Sequence, residues 1–429
     1  MPPGFVAIMR DLLGTEAEAF LQSLEKEAAV AVRINCRKPG AVFENAVAVP
    51  WCRNGYYLEK RPVFTLDPLL HAGCYYVQDP SSMIYETVTK ELVEKFRGQN
   101  SIPFKVKVLD LCAAPGGKTT AMINAVPDGS QIMANEYVLK RAEILRENLI
   151  KWGYKDAVVT NRPVSDFADE GENYDIVAVD APCSGEGMMR KDPDARTQWN
   201  PELIESCSAL QKNIIDSAIE ALKPGGFLIY STCTFNRTEN EENAEYIAKN
   251  LGLEPIDLNF PKDWNIRDGI DTDLPVKRFM PHLTNGEGLF LAVFRKPGEW
   301  KPAAESAFQR WQNNTIPAKN VGKKNNPSKF KGEGKDKLKI ERREKKEESD
   351  YPDIKEILSS PPEDLKYPYT DLSIDDARAY LRRESLILNP DVPRGIVIVG
   401  YKGHPLGLVK NIGSRANNLY PKAWRVLMR

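Results

Sequence analysis

Only three histidines occur among 429 residues, and the seven cysteines are an odd number without paired spacing. A zinc cluster and a disulfide framework are therefore poor explanations of the fold, and any cysteine that matters should matter as a thiol. No apolar run approaches the roughly 20 residues that cross a bilayer. The N-terminal MPPGFVAIMRDLLG also lacks the basic flank, apolar core and cleavage site of a leader. A cytoplasmic protein without membrane contact is expected. Net charge is nearly absent at −1, which argues against a uniformly basic nucleic-acid binder but leaves room for segregated charge.

Segregation is present. Lys319 to Lys346 holds twelve Lys/Arg against four Asp/Glu and few apolar residues, so 301–349 is expected to be a flexible basic linker, with or without phosphate contacts. Residues 1–100 mix helix-like and strand-like pieces in a small α+β unit. There Arg33, Arg37 and Arg53, interleaved with Trp51, Tyr56 and Tyr57, form either a stacking and phosphate surface for RNA or an ordinary core with a charged rim. Across 101–300, VKVLDLC, SQIMANEY, DAVVTNR, YDIVAVDAPC, GGFLIYSTCT and GLFLAVFRK read as strands separated by helical stretches. That alternation predicts an α/β, mostly parallel, doubly wound sheet. Residues 350–429 add the helix-like LSIDDARAYLRRESLI and the short-stranded RGIVIVGYKGHPLGLVKNIG. Nothing demands more than a monomer.

The stretch VLDLCAAPGGKTT, Val108 to Thr120, resembles a phosphate loop but has Cys112 where that loop needs its first glycine. A dinucleotide turn would carry Gly-x-Gly-x-x-Gly, which is also missing. What remains is a strand ending at Asp110, a small-residue turn and a helix, with Glu136 closing the next strand where an acid accepts bonds from ribose hydroxyls. A ligand with a ribose and no phosphate fits, and S-adenosylmethionine is the expected cofactor.

Cys183, in DAPCSGEG, and Cys233, in STCTFNRTEN, each follow a strand. In a parallel sheet both strand ends face the cofactor turn, so two thiols and the Asp180 carboxylate could converge there. Carbon 5 of cytosine is a poor nucleophile until a thiolate adds to carbon 6, and a carboxyl near N3 takes up the developing charge. Such chemistry needs one of the two cysteines as nucleophile; physics alone does not say which. The loop Gly185–Arg196 offers glycines, two methionines and Arg190 and Lys191 for a flipped base and its phosphates. His282 reads as a polar residue that fixes the chain, without a catalytic role.

The segments DLCAAPGGKT (Asp110–Thr119), DAPCSGEG (Asp180–Gly187) and STCT (Ser231–Thr234), with VQDPSSM (Val77–Met83) and GEGLFLAVFR (Gly286–Arg295), resemble the Fmu/Sun family of RNA cytosine-5 methyltransferases over roughly residues 1–298. The tail with HPLGLVKNIGSRANNLYP is similar to the PUA-like module of its RsmF-like branch, which modifies small-subunit (16S) ribosomal RNA. The resemblance implies a Rossmann-like S-adenosylmethionine-dependent methyltransferase domain between an N-terminal α+β RNA-binding unit and a C-terminal PUA-like domain. It also implies Cys233 as nucleophile and Cys183 in product release. Cys112, Ala113, Ala114, Pro115, Gly116, Gly117 and Lys118 would wrap the donor, with Glu136 on the ribose and Arg141 and Asp180 close to it. Pro163 stands where many relatives carry an acid for the adenine amino group, so Asp166 or a backbone carbonyl is the expected substitute. The alternatives are the same chemistry on transfer RNA and a ribosome-assembly scaffold without activity.

Overall fold

Apolar residues at helical spacing give α1 (Pro3–Leu13), which buries Phe5, Met9 and Leu13. Gly14, at φ 52, breaks it before α2 (Ala17–Ser23). A computed structural model describes residues 1–98, 104–304, 307–308 and 352–428. The expected linker therefore lies almost wholly outside the described residues. Two compact units result, Met1–Phe308 and Gln309–Arg429.

In the first unit, β1 (Val30–Ile34), β2 (Val47–Ala48), β3 (Gly55–Leu58) and β4 (Tyr75–Val77) form a small sheet in the order β2-β3-β1-β4. It leads through α3 (Pro68–His71) into α4 (Ile84–Arg97), whose apolar face is buried by Ile84, Tyr85, Val88, Leu92 and Phe96. The main sheet follows. It contains β5 (Lys107–Asp110), β6 (Gln131–Asn135), β7 (Ala157–Thr160), β8 (Tyr174–Asp180) and β9 (Leu222–Thr232), joined by α5 (Gly117–Ala125), α6 (Leu139–Trp152), α7 (Ser165–Asp169), α8 (Pro193–Gln198) and α9 (Pro201–Ala221). After α10 (Glu241–Glu245) come the short β10 (Glu254–Pro255), β11 (Arg267–Asp268) and β12 (Lys277–Phe279), then β13 (Leu289–Arg295).

The order is β11-β12-β13-β9-β8-β5-β6-β7, with β10 also on β13. The run β9-β8-β5-β6-β7 is parallel and β13 is antiparallel to β9. All six long strands expected from the sequence are present. Continuous apolar runs such as Ile176–Val179 are buried on both faces, as a parallel sheet between helices requires. One core joins α4, α5 and the sheet. It extends past the last strand: Trp300 stacks on Phe96 with centroids 4.3 Å apart, and Gln131 Nε2 donates to the Phe308 carbonyl at 2.6 Å.

The second unit has its own sheet, β14 (Tyr369–Asp371), β15 (Gly395–Tyr401), β16 (His404–Asn411) and β17 (Ala416–Asn418), with α11 (Ile354–Ser359) and α12 (Ile374–Leu381). Its core gathers Ile357, Ile398 and Leu408, and the Tyr380 hydroxyl donates to the Leu408 carbonyl at 3.1 Å. Among the described residues no helix is long and apolar enough to cross a membrane, and no group of three His, Cys, Asp or Glu could hold a metal ion.

Candidate active site

Chain order reverses between β5 and β8, and the crevice outside the carboxyl ends of strands at such a point is where open α/β sheets bind ligands. Both strands end in acids, Asp110 and Asp180. From β5 the chain turns through Cys112, Ala113, Ala114, Pro115 and Gly116 into α5. Gly116 sits at φ 110, which glycine alone adopts without strain. Thr119 Oγ1 donates to Asp110 Oδ2 at 2.6 Å, and burial pushes the Asp110 carboxyl up to about 7 against that bond. Burial also raises the Cys112 thiol, with Asp110 and Asp180 adding to it, so this third cysteine of the site is a poor nucleophile.

Glu136 follows β6 and is buried; its Oε1 accepts from the Val138 N–H at 2.9 Å. Arg141 ties it to the turn. One guanidinium nitrogen is 3.3 Å from Glu136 Oε2 and another donates to the Ala114 carbonyl at 3.0 Å. Asp166 stands on α7, beyond β7, with its backbone N–H bonded to the carbonyl of exposed Pro163 at 3.3 Å.

The other half of the crevice lies at β8 and β9, where the register pairs Asp180 with Ser231. Asp180 Oδ1 accepts from Ser231 Oγ at 2.7 Å and Oδ2 from Lys118 Nζ at 2.8 Å. The buried Tyr85 hydroxyl of α4 meets Ser231 Oγ at 2.8 Å. Burial works against the Lys118 ammonium, but Asp180 more than restores it and leaves its affinity for the proton above the usual value.

Cys233 Sγ lies 3.3 Å from Cys183 Sγ. The two thiols titrate in opposite directions. Cys233 is drawn below its ordinary value by the Cys183 S–H bond, with burial and the Asp180 and Glu239 carboxylates opposing and the Lys118 cation assisting. Cys183 is pushed well up by the same bond, by burial and by the Glu239 carboxylate. A proton shared between the sulfurs is thus favoured on Cys183 over Cys233.

Reciprocal carboxylates hold the two loops at this distance. Glu186, from the Cys183 loop, accepts the Phe235 and Asn236 N–H groups at 2.6 and 3.0 Å and the Trp199 indole at 3.0 Å. Glu239, from the Cys233 loop, accepts the Ser184 N–H at 3.0 Å. Gly187 N–H donates to the Cys233 carbonyl at 2.8 Å, and a Cβ at Gly187 would lie 2.5 Å from that oxygen. Glu186 and Glu239 stand inside the quoted motifs, yet sequence reading passed over them because their partners lie about fifty residues away.

Two expectations need correction. Arg33 and Trp51 do not form an RNA surface. Arg33 is fully buried and donates to Gln78 Oε1 at 2.8 Å, Thr120 Oγ1 at 2.6 Å and the carbonyls of Gly117 and Thr120 at 3.0 and 3.1 Å, so it clamps the first turn of α5 from behind. The Trp51 indole is buried on the Pro80 carbonyl at 2.7 Å. Arg37 and Arg53 are exposed, so the core with a charged rim is what the chain builds. Similarly, Met189 is buried beside α1 and α2, and Arg190 donates to the Ser23 carbonyl at 2.6 Å, so neither is the free base or phosphate contact expected of this loop; Met188 and Lys191 stay exposed. His282 is a chain-fixing residue, its Nε2 3.0 Å from Glu16 Oε2.

Three family models match in order: the N-terminal domain of 16S rRNA methyltransferase RsmF over residues 1–80, 16S rRNA methyltransferase RsmB/F over 104–295, and the methyltransferase RsmF PUA domain over 368–426. The ribosomal RNA small subunit methyltransferase F of Erwinia tasmaniensis is 27% identical over 475 residues, spanning 98% of this chain and 96% of that relative. The one from Cronobacter sakazakii is 32% identical over 333 residues, 72% of this chain and 66% of that relative. Among solved structures, a methyltransferase homolog protein from Pyrococcus horikoshii has the same fold, with a TM-score of 0.57 and 24% identity over 68% of this chain and 94% of that one. NSun6 from Pyrococcus horikoshii, solved with SFG, scores 0.56 at 20% identity over 70% of this chain and 99% of its own.

Proposed function

Because the chain belongs to the RsmB/F family of 16S rRNA methyltransferases, with the RsmF N-terminal and PUA domains at its ends, we propose that it methylates carbon 5 of cytosine in small-subunit ribosomal RNA through a covalent bond to Cys233. One observation carries the reading: two thiols 3.3 Å apart, beside a carboxylate and an ammonium, at the strand ends that face the Asp110 turn.

The donor site suits S-adenosylmethionine. Cys112 to Lys118 form a small-residue turn whose Gly116 conformation leaves the backbone open, Glu136 offers an acid at the end of β6, and Arg141 braces the two. Asp166 is the proposed contact for the adenine amino group. Bound there, the donor supplies an electrophilic methyl group.

Everything else falls to the chain's own side chains. The Cys233 thiolate adds to carbon 6 and pushes electrons to carbon 5. Asp180, held by Lys118 and Ser231, accepts from the cytosine amino group and, as the carboxylic acid, donates its proton to N3 as the ring gains charge, while Lys118 balances the added charge. After methylation the carbon 5 proton leaves to a base, the electron pair re-forms the 5,6 double bond and Cys233 departs as a thiolate. Cys183 is the group positioned to manage that release.

The proposed reaction implies a cytoplasmic chain on a ribosomal substrate, and it demands no more than a monomer. Residues 1–100 and 350–429 serve as RNA-binding flanks of the catalytic domain at 101–300, with 301–349 as the linker between. The test is transfer of labelled methyl groups into small subunits lacking their 5-methylcytosines, followed by mapping of the modified base. Label in 5-methylcytosine of the small-subunit RNA supports the proposal; label only in transfer RNA redirects it, and donor binding without transfer supports a scaffold.

A further inference from the structure

Tyr85, Ser231 and Asp180 form a line of hydrogen bonds that starts in the core and ends in the crevice. Tyr85 and Ser231 are fully buried, whereas the Asp180 side chain is 27% exposed. The Ser231 hydroxyl has one proton, and it is given to Asp180 Oδ1 at 2.7 Å. Its contact with the Tyr85 hydroxyl at 2.8 Å must then run the other way, with Tyr85 donating to Ser231 Oγ. Among the described residues neither hydroxyl makes another hydrogen bond. Burial, with the Asp180 charge adding to it, raises the Tyr85 phenol well above its ordinary value, so it stays an O–H group.

The direction of this line matters once Asp180 acts as an acid. Each carboxyl oxygen has two acceptor positions. Ser231 fills one on Oδ1, and the Lys118 ammonium, at 2.8 Å, fills one on Oδ2. A proton placed between Oδ1 and Ser231 would turn the line round and leave the Tyr85 O–H buried without an acceptor, which is costly. We propose that Ser231 is a positioning residue for Asp180, and Tyr85 for Ser231: together they keep the acid proton of Asp180 off its inward side and on the side open to the crevice, where N3 of the target base would lie. The proposal rests on the reaction given above. As the Cys233 sulfur bonds to carbon 6, the ring electrons move through carbons 5 and 4 to N3, which takes the Asp180 proton. Once the pair at carbon 5 has bonded to the methyl group, the N3 pair re-forms its double bond to carbon 4 and the N3 proton returns to Asp180.

The test is single-turnover methyl transfer to small subunits lacking their 5-methylcytosines, at saturating donor and subunit, for the full-length wild type, Ser231→Ala, Tyr85→Phe and the double variant, with donor affinity measured by calorimetry. Ser231→Ala should slow transfer about tenfold, the loss of one hydrogen bond to a charged group. Tyr85→Phe should slow it about threefold, because it only weakens the bond that Ser231 makes. In the double variant Tyr85→Phe should add nothing to Ser231→Ala, since Tyr85 acts through Ser231, and donor affinity should hold in all three. Wild-type transfer in Ser231→Ala overturns the proposal. So do losses that multiply in the double variant, or a loss of donor affinity that matches the loss of rate, as a general loosening of the fold would give. Tyr85→Phe keeps its ring in the core, so if Ser231→Ala does not fold, a wild-type rate in Tyr85→Phe is enough to overturn it. A wild type that binds donor and modifies no cytosine overturns the underlying reaction and the proposal with it, an outcome that the wild type alone tells apart from the others.

Discussion

Cys183 and Cys233 are the same side chain at the ends of neighbouring parallel strands, yet their surroundings move their affinities for a proton in opposite directions. Cys233 comes two residues after Ser231, whose register partner Asp180 fixes the Lys118 ammonium nearby. Cys183 comes just before Ser184, whose N–H brings in Glu239. Lys118 favours the Cys233 thiolate while Asp180 and Glu239 oppose it, and Glu239 also raises Cys183, so the contrast rests mainly on the bond between the sulfurs. The proposed division of labour follows from that bond and from what the neighbouring strands deliver to each loop.

The largest test of the comparison is loss of each thiol in turn. Cys233→Ala should reduce methyl transfer on the order of 10⁴-fold or more, as removal of a nucleophile does, whereas Cys183→Ala should accumulate protein bonded to RNA, visible as a slow band on a denaturing gel. Retained turnover in Cys233→Ala would break the comparison outright. Lys118→Ala removes the cation that favours the Cys233 thiolate. Its thiol should then titrate at higher pH, so the rising limb of the pH–rate profile should move to the alkaline side and the rate at neutral pH should fall by roughly 10²-fold.

A smaller effect is expected at the other half of the crevice. Glu136→Gln should weaken donor binding by about tenfold, the cost of one charge-assisted hydrogen bond, measurable by calorimetry, while both cysteine titrations stay where they are. Smallest of all should be the change in Cys183→Ser. A hydroxyl still donates to Cys233, so the Cys233 alkylation curve should move less than in Cys183→Ala, where the donor is lost and the thiol rises.

Much of this was legible in the sequence. Apolar runs of strand length between amphipathic helices gave the sheet, and strand-end positions brought Asp110, Asp180, Cys183 and Cys233 to one edge, because a parallel sheet puts every strand end on the same side. What escaped was whatever depends on side-chain reach between distant segments. Arg33 alternates with apolar residues in β1 like a surface residue, but α5 covers that face and supplies carbonyls and a hydroxyl for its two terminal nitrogens, with Gln78 taking the third. Met189 and Arg190 occupy a stretch rich in glycine and charge, which reads as mobile; contacts with α1 and α2 hold it. Glu186 and Glu239 look like ordinary loop acids until the backbone N–H groups they accept are identified.

The most direct measurement uses small-subunit RNA in which the target cytosine carries fluorine at carbon 5. Fluorine cannot leave as a cation, so elimination fails and the enzyme stays bonded to the base. Peptide mapping of that trapped complex should find the RNA on Cys233, with Cys183 free. RNA attached to Cys183, or no covalent complex despite donor binding and a competent subunit, would contradict the assignment of the thiolate to Cys233.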